Sequence, residues 1–294
     1  MQTLAKPTLK DYIVLTKPRI IELLLVTTVP TMMFAAGGIP TLSVALATLL
    51  GGALAAAGAN VLNCFVDSDI DALMPRTAHR ATATGLISKR NTLIFGLSLS
   101  LISIIVLDAF TNTLAAALAA GAIIFYVGVY SLLLKRRTSQ NIVWGGIAGC
   151  FPVLIGWSAV TGTLSWEPIA LFMIVFFWTP PHYWPLSIKY KDQYAAAEVP
   201  MLPVVASKRD VTRAIIRYSW VMVATSLTLI LSLGVPYAVV SISAGVWFLR
   251  LAYKLEHSID DETLFEVVAM QVFHASITYL SIIFLTVGLV SFVA

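Results

Sequence analysis

The chain contains 294 residues, of which 59% are hydrophobic and only 12% are charged. This balance excludes an ordinary soluble domain and indicates a protein that crosses a membrane several times. The formal net charge is +4, but because no soluble basic domain is evident we expect no nucleic-acid partner. Cys64 and Cys150 lie in or at apolar stretches, so we predict neither a disulfide nor a zinc site.

Apolar stretches of about 20 residues, each long enough to cross a bilayer as a helix, recur along the chain. We predict nine such spans, at residues 20–38, 42–64, 92–109, 113–133, 141–161, 166–186, 215–233, 236–254 and 268–292. The sequence therefore predicts an all-α fold, a bundle of about nine transmembrane helices around a central cavity that opens to the cytoplasmic face. Residues 1–19 form a cytoplasmic N-terminal segment in this prediction, and residues 20–294 form a single transmembrane domain.

All 19 Lys and Arg residues lie on one side of this layout, either in its connections or, for Arg217, Arg250 and Lys254, at the adjoining ends of the spans. The opposite connections contain none, and they are residues 37–41, 108–113, 161–166 and 234–237. Because Lys and Arg accumulate on the cytoplasmic side, we expect a multi-pass protein of the cell inner (cytoplasmic) membrane. Its N-terminus would be cytoplasmic and its C-terminus external. The two longest connections, about 65–91 and 188–214, would then roof the cavity from the cytoplasm.

Asn63, Asp67 and Asp71 are spaced four residues apart at the end of the second predicted span. On a helix this spacing places one amide and two carboxylates on one face. Mg²⁺ prefers oxygen ligands and is commonly held by one or two carboxylates together with substrate phosphates. The alternative is an ordinary solvated helix end, but an Asn in apolar sequence followed by two in-phase Asp favours a magnesium site. These three residues are our candidate catalytic and metal-binding residues.

Basic residues suited to a phosphorylated substrate lie in two of the connections. Arg76 and Arg80 follow the acidic residues, and Lys135 and Arg136 precede the fifth span. Guanidinium groups bind phosphate oxygens in bidentate fashion. The alternative is that these charges only set the topology. We expect the four to bind substrate.

A third group of polar and aromatic residues lies at the inner end of the sixth span, and its members are His182, Tyr183, Trp184, Lys189, Lys191 and Asp192. His182 is either a hydrogen-bonded packing residue or a substrate contact. Tyr183 and Trp184 are either aromatics of the membrane interface or walls of a pocket. We predict that these three residues and Lys189 bind substrate, that Lys191 and Asp192 are catalytic, and that Asp192 is a candidate second metal ligand.

Two classes of function suit a helical bundle of this kind, namely an enzyme and a membrane transporter. A transporter usually places its ionisable residues near the middle of the membrane. Here the acidic residues lie mostly at the inner ends of the spans beside Arg and Lys. This arrangement favours an enzyme that acts on a phosphorylated substrate.

The residues around these motifs resemble the UbiA-type intramembrane prenyltransferases. The likeness rests on the four-residue spacing of Asn63, Asp67 and Asp71 and extends over residues 15–19, 63–80, 135–141, 181–192 and 200–204. Within that family, the chain is most similar to the members that act on haem. This resemblance implies that residues 20–294 form a prenyltransferase domain with Mg²⁺ as its cofactor.

The resemblance implies transfer of a farnesyl group from farnesyl diphosphate to the 2-vinyl group of haem b (protoheme IX), which yields haem O and diphosphate. A quinone-type aromatic acceptor is the alternative. The resemblance also implies that the protein lies in the lipid bilayer and associates with haem A synthase or oxidase assembly proteins. The second acidic motif of relatives with other acceptors is incomplete, because Ala196 follows Asp192 at the fourth position. The number of magnesium ions therefore stays open.

The one-sided distribution of Lys and Arg yields a topology prediction. In intact cells, a thiol reagent that cannot cross the membrane should label a cysteine placed at Thr163 and miss one placed at Ser139. The reason is that Thr163 lies in a connection without positive charge, whereas Ser139 follows a basic cluster. Labelling in the reverse pattern would contradict the predicted orientation.

Overall fold

The computed structural model describes residues 6–292, apart from the side chains of residues 19–25. Every regular element among the described residues is helical, which confirms the predicted all-α bundle. In chain order the helices are α1 (Leu9–Leu15), α2 (Pro18–Ala36), α3 (Leu42–Val66), α4 (Ser68–Leu73), α5 (Lys89–Phe110), α6 (Thr113–Ile124), α7 (Asn141–Gly145), α8 (Ile147–Thr161), α9 (Trp166–Lys189), α10 (Lys191–Ala196), α11 (Leu202–Val205), α12 (Lys208–Thr228), α13 (Ile230–His257) and α14 (Glu262–Val290). Between α6 and α7, Phe125–Leu134 continues α6 as a π-helix.

Six helical stretches of the described chain are long and apolar enough to cross a membrane, and they are Leu42–Val66, Lys89–Phe110, Thr113–Leu134, Asn141–Thr161, Ile230–His257 and Glu262–Val290. Three further long helices, α2, α9 and α12, lie where the first, sixth and seventh spans are predicted. Of α2, the part whose side chains are described, Val26–Ala36, is apolar but short. α12 begins with a charged turn, and α9 contains three prolines. The count of nine spans therefore stays a prediction.

Small residues allow α3 and α5 to pack closely. A Cβ at Gly58 would lie 2.4 Å from Ser100 Oγ and 2.9 Å from Ser100 N, and one at Gly96 would lie 2.8 Å from the Leu62 side chain. Ser103 Oγ also donates a hydrogen bond of 2.6 Å to the Gly51 carbonyl. Close backbone approach of this kind is typical of helix contacts in membranes, where apolar side chains gain little by leaving lipid.

The N-terminal helix α1 is fixed to the bundle rather than projecting from it. Asn60 Nδ2 donates a hydrogen bond of 3.1 Å to the Thr16 carbonyl, and Leu15 is buried. Lys17 adopts a left-handed φ of 54°, and Pro18 starts α2 directly after it. This sharp turn directs the Lys17 side chain inward. Of the predicted N-terminal segment, residues 1–5 lie outside the described residues.

The two long connections meet at one end of the bundle, which carries residues 67–88 and 190–207 and which we call the loop end. Their apolar residues form a cluster with α7 whose members are Ile70, Met74, Ile142, Tyr194, Ala197, Val199 and Met201. Glu198 has a left-handed φ of 52°, uncommon for a residue with a Cβ. This bend turns the chain so that Val199 and Met201 on either side of Pro200 are both buried.

The contact between α3 and α5 yields a stability prediction. Gly58→Ala should destabilise the protein by about 1–3 kcal/mol, because the new methyl meets the Ser100 backbone, which cannot rotate away. Gly52→Ala is the matched control, since no atom lies within 4 Å of its added Cβ. A melting curve in detergent should show a lower Tm for the Gly58 variant alone. Equal Tm values for both variants would contradict the packing described here.

Candidate active site

A cavity with an open volume of about 1460 Å³ lies inside the loop end of the bundle. Seven of the predicted site residues line it, and they are Asn63, Asp71, Arg76, Arg80, Lys135, His182 and Tyr183. Asp67 is fully buried directly behind this wall. The structure thus brings together residues from three separate parts of the sequence.

The acidic motif keeps its helical register although the helix breaks inside it. α3 ends at Val66 and α4 begins at Ser68, and Asp67 between them has φ −91° and ψ 10°. The Asp67 amide still donates to the Asn63 carbonyl and the Asp71 amide to the Asp67 carbonyl, each at 2.8 Å. Because both bonds span four residues, the three side chains stay on one side, as the spacing predicts.

Asp67 is paired through one carboxylate oxygen only. Its Oδ2 accepts hydrogen bonds from Asn63 Nδ2 at 2.7 Å and from Lys135 Nζ. Its Oδ1 is buried and has no hydrogen-bond partner among the described residues. A buried carboxylate oxygen without a partner is costly and marks a position that suits a cation. The donor set of two carboxylates and one amide fits Mg²⁺.

Asp71 and Asn63 are already bound by basic side chains. Asp71 Oδ2 accepts from Arg80 Nη1 at 2.6 Å, and Asn63 Oδ1 accepts from Lys17 Nζ at 2.8 Å. The Asn63 oxygen is therefore available to a metal only if Lys17 moves aside. Burial, with repulsion from Arg80 and Lys135, lowers the pKa of Lys17 below its ordinary value.

The cavity has an excess of positive charge. Four cationic side chains line it, and they are Lys17, Arg76, Arg80 and Lys135. They face the two carboxylates of Asp67 and Asp71, so the described side chains leave two positive charges uncompensated. Ammonium and guanidinium groups around a recess of this kind favour a multiply charged anion such as a diphosphate.

The π-helix supplies contacts that the sequence analysis missed. Ser131 Oγ accepts a hydrogen bond of 2.9 Å from Asn63 Nδ2 and donates one of 3.0 Å to the Tyr126 carbonyl, five residues back. The Lys135 amide likewise bonds the Tyr130 carbonyl at 2.9 Å. This wider turn presents both Ser131 and Lys135 to the acidic motif. No pattern in the sequence predicts a π-helix. The single Ser in this apolar stretch is the one residue that indicates a polar contact there.

The opposite wall of the cavity is aromatic and holds His182. The imidazole is stacked between Trp178 and Phe273, with ring centroids 4.1 and 4.7 Å away. Its Nδ1 lies 2.8 Å from Ser276 Oγ. Tyr183 lines the same cavity beside it.

Two of the predicted substrate-binding residues lie away from the cavity. Arg136 donates to both carboxylate oxygens of Asp69 at 2.7 and 2.8 Å on the outer surface. This hydrogen bonding lowers the pKa of Asp69 to about 2. Trp184 is buried in the core, where its ring meets Tyr218 edge to face at 5.5 Å.

Lys189, Lys191 and Asp192 are not brought to the central cavity either. They line a second cleft of about 690 Å³ beside the start of α12 and α14. In that cleft Lys208 Nζ donates a hydrogen bond of 2.6 Å to Glu262 Oε2. Their predicted catalytic and substrate-binding roles stay predictions that the geometry of the central cavity does not support.

An apolar groove of about 840 Å³ adjoins the cavity between α2, α3, α6 and α8. Both spaces share Tyr126, Ala148 and Gly149 as lining residues. Gly52 and Gly149 keep the groove open, since no atom lies within 4 Å of a Cβ added at either position. A ligand with an anionic head and a long apolar chain therefore fits the two spaces together.

Comparison with known proteins agrees with this geometry. The UbiA prenyltransferase family model matches residues 24–277. A protoheme IX farnesyltransferase of Streptomyces avermitilis is 54% identical over 95% of this chain and 92% of its own length. The protein of that name from Streptomyces coelicolor is 53% identical over 95% and 90%.

Solved structures share the fold at low sequence identity. A digeranylgeranylglyceryl phosphate synthase matches with a TM-score of 0.77 and 18% identity, over 97% of this chain and 99% of that one. A UbiA homologue from Archaeoglobus fulgidus bound to DMAPP and Mg²⁺ matches with a TM-score of 0.70 and 18% identity, over 92% and 99%. The chain therefore belongs to the UbiA prenyltransferase family.

Proposed function

We propose that this prenyltransferase transfers the farnesyl group of farnesyl diphosphate to the 2-vinyl group of haem b, giving haem O and diphosphate. The observation that carries the proposal is the unpartnered Oδ1 of buried Asp67, beside an excess of positive charge at the mouth of an apolar groove. Relatives more than half identical to the chain carry the name protoheme IX farnesyltransferase, which favours haem over a quinone-type acceptor. Membership of the family disfavours a transporter.

Asp67, Asp71 and Asn63 are the residues that would hold Mg²⁺. When bound, Mg²⁺ supplies charge neutralisation to the diphosphate as the allylic C–O bond breaks. Lys17, Arg76, Arg80 and Lys135 would bind the diphosphate oxygens from the other sides. In the described state Lys135 and Arg80 are held by the carboxylates, so they are already positioned at the site where negative charge collects.

The aromatic walls would protect the farnesyl cation from premature reaction with water. Tyr126 lines both the cavity and the apolar groove, and its ring stacks on that of Tyr130 with the centroids 5.5 Å apart. The electron-rich faces of such rings attract a positive charge. The cation adds to the vinyl group of haem, and a water molecule captures the new cation. Loss of a proton from that water to the released diphosphate then gives the product's hydroxyl group. Water must therefore enter only after the new C–C bond has formed.

The setting of the enzyme is part of the proposal. Several apolar helices and the family place the chain among multi-pass membrane proteins. We propose the inner membrane with a cytoplasmic N-terminus, so that the loop end faces the cytoplasm. His182 would contact haem through either its iron or a propionate. Association with haem A synthase or oxidase assembly proteins is proposed on the chemistry of the product alone.

The acidic motif yields a test of the whole proposal. Purified protein incubated with haem b, farnesyl diphosphate and Mg²⁺ should form a pigment with the mass of haem O. Asp67→Asn and Asp71→Asn should each lower the rate at least 100-fold, because an amide binds Mg²⁺ more weakly than a carboxylate. EDTA should abolish the rate in the unaltered protein.

Asp69→Asn is the matched control. Asp69 lies between the two motif carboxylates in sequence but pairs with Arg136 on the surface, so its amide variant should keep nearly full activity. Full activity in the Asp67 and Asp71 variants would exclude the magnesium site. A farnesylated quinone-type product, with haem b unchanged, would exclude haem as the acceptor.

A further inference from the structure

The ring plane of His182 is fixed by its neighbours from two helices. The Trp178 ring lies at 15° to the imidazole and the Phe273 ring at 27°, one on each face. Because both faces are covered, polar contacts of the imidazole are confined to its rim, where Nδ1 and Nε2 point in nearly opposite directions. Trp178 Nε1 also donates a hydrogen bond of 2.7 Å to the Ser276 carbonyl, which ties α9 to α14 beside the ring.

The hydrogen bonds around Ser276 determine which nitrogen of His182 carries the proton. Ser276 Oγ lies 2.6 Å from the Phe273 carbonyl, and this contact is a hydrogen bond only if the hydroxyl donates. A serine hydroxyl has a single hydrogen. Towards His182 Nδ1, 2.8 Å away, Ser276 Oγ must therefore accept. The network assigns the proton to Nδ1 and leaves the lone pair on Nε2.

The nitrogen with the lone pair belongs to the edge of the ring that faces the cavity. His182 and Trp178 line the cavity, whereas Ser276 and Phe273 lie behind them in α14. Since Nδ1 points back to Ser276, the opposite edge is presented to the open space. Nε2 makes no hydrogen bond with any residue that the structure describes.

We infer that His182 binds the haem iron through Nε2 and that Ser276 is the positioning residue that holds the imidazole in the ligating tautomer. The inference rests on the proposed function and decides between its two alternatives for His182. A propionate would need an N–H donor, which the edge facing the cavity does not offer. A neutral imidazole with a free lone pair is the usual histidine ligand of iron, and its other nitrogen usually donates to an oxygen behind it.

Binding of ferric haem b without farnesyl diphosphate or Mg²⁺ tests the inference apart from turnover. Absorption and electron paramagnetic resonance spectra of the unaltered protein should show a nitrogen ligand on the iron. His182→Gly should lose this signature and regain it on addition of imidazole. His182→Ala should also lose it, and it provides the same test if the glycine variant accumulates poorly. A wild-type spectrum in either variant, without added imidazole, would overturn the assignment.

The role of Ser276 is tested by three serine variants. Ser276→Ala should weaken haem binding about 10-fold, since loss of a group that orients a metal-binding histidine has effects of that order. Ser276→Thr keeps the hydroxyl and should restore most of the affinity. Ser291→Ala is the matched control, because Ser291 directly follows α14 and its hydroxyl donates to the carbonyl three residues back, that of Gly288.

Equal haem affinity in Ser276→Ala and Ser291→Ala would overturn the positioning role. Formation of haem O is measured separately and reports on the proposed function. Normal haem O formation by a protein whose haem shows no nitrogen ligand would overturn this inference alone. Nitrogen ligation in a protein that forms no haem O would overturn the proposed function while leaving the ligand assignment supported.

Discussion

Two buried carboxylates at the loop end constrain the structure around them. A carboxylate taken out of water costs free energy unless opposite charges and hydrogen bonds replace the water. Asp67 is fully buried and Asp71 nearly so, and each is bound by a cation, Lys135 for the first and Arg80 for the second. The first pair joins the junction of α3 and α4 to the end of the π-helix, and the second joins α4 to the connection that follows it. The contacts that stabilise this end of the bundle are therefore the contacts that build the candidate site.

The same pairing prepares the site for substrate. A basic residue held by a carboxylate is oriented before the ligand arrives, which reduces the entropy lost on binding. Lys17 is oriented in the same way, because its ammonium group donates a hydrogen bond to the neutral side chain of Asn63. If the carboxylates hold Mg²⁺ as proposed, Lys135 and Arg80 would be free to bind diphosphate oxygens. The anion, rather than further protein acids, would then balance the excess of positive charge in the cavity.

The acidic motif is predictable from the sequence because residues four apart remain neighbours on a helix, even across the break at Asp67. Arg80 and His182, both predicted to bind substrate, line one cavity. Trp184 lies elsewhere for a physical reason, since side chains two apart on a helix point about 200° apart and His182 already faces the cavity. Lys17 and Ser131 were missed, because their roles depend on a left-handed turn and a π-helix that local sequence does not specify.

In the proposed function, one wall of the cavity would recognise the donor and the other wall would recognise the acceptor. The carboxylates and three of the four cations lie in or directly after α3, α4 and the π-helix, whereas the imidazole lies on α9 and stacks against Phe273 of α14. Solved relatives only 18% identical keep the fold, and one of them binds DMAPP and Mg²⁺. A prenyl diphosphate needs the same charges whatever accepts its chain. Choice of acceptor is therefore expected to depend on the α9 and α14 wall, where the Ser276 hydroxyl presents the lone pair of His182 to the cavity.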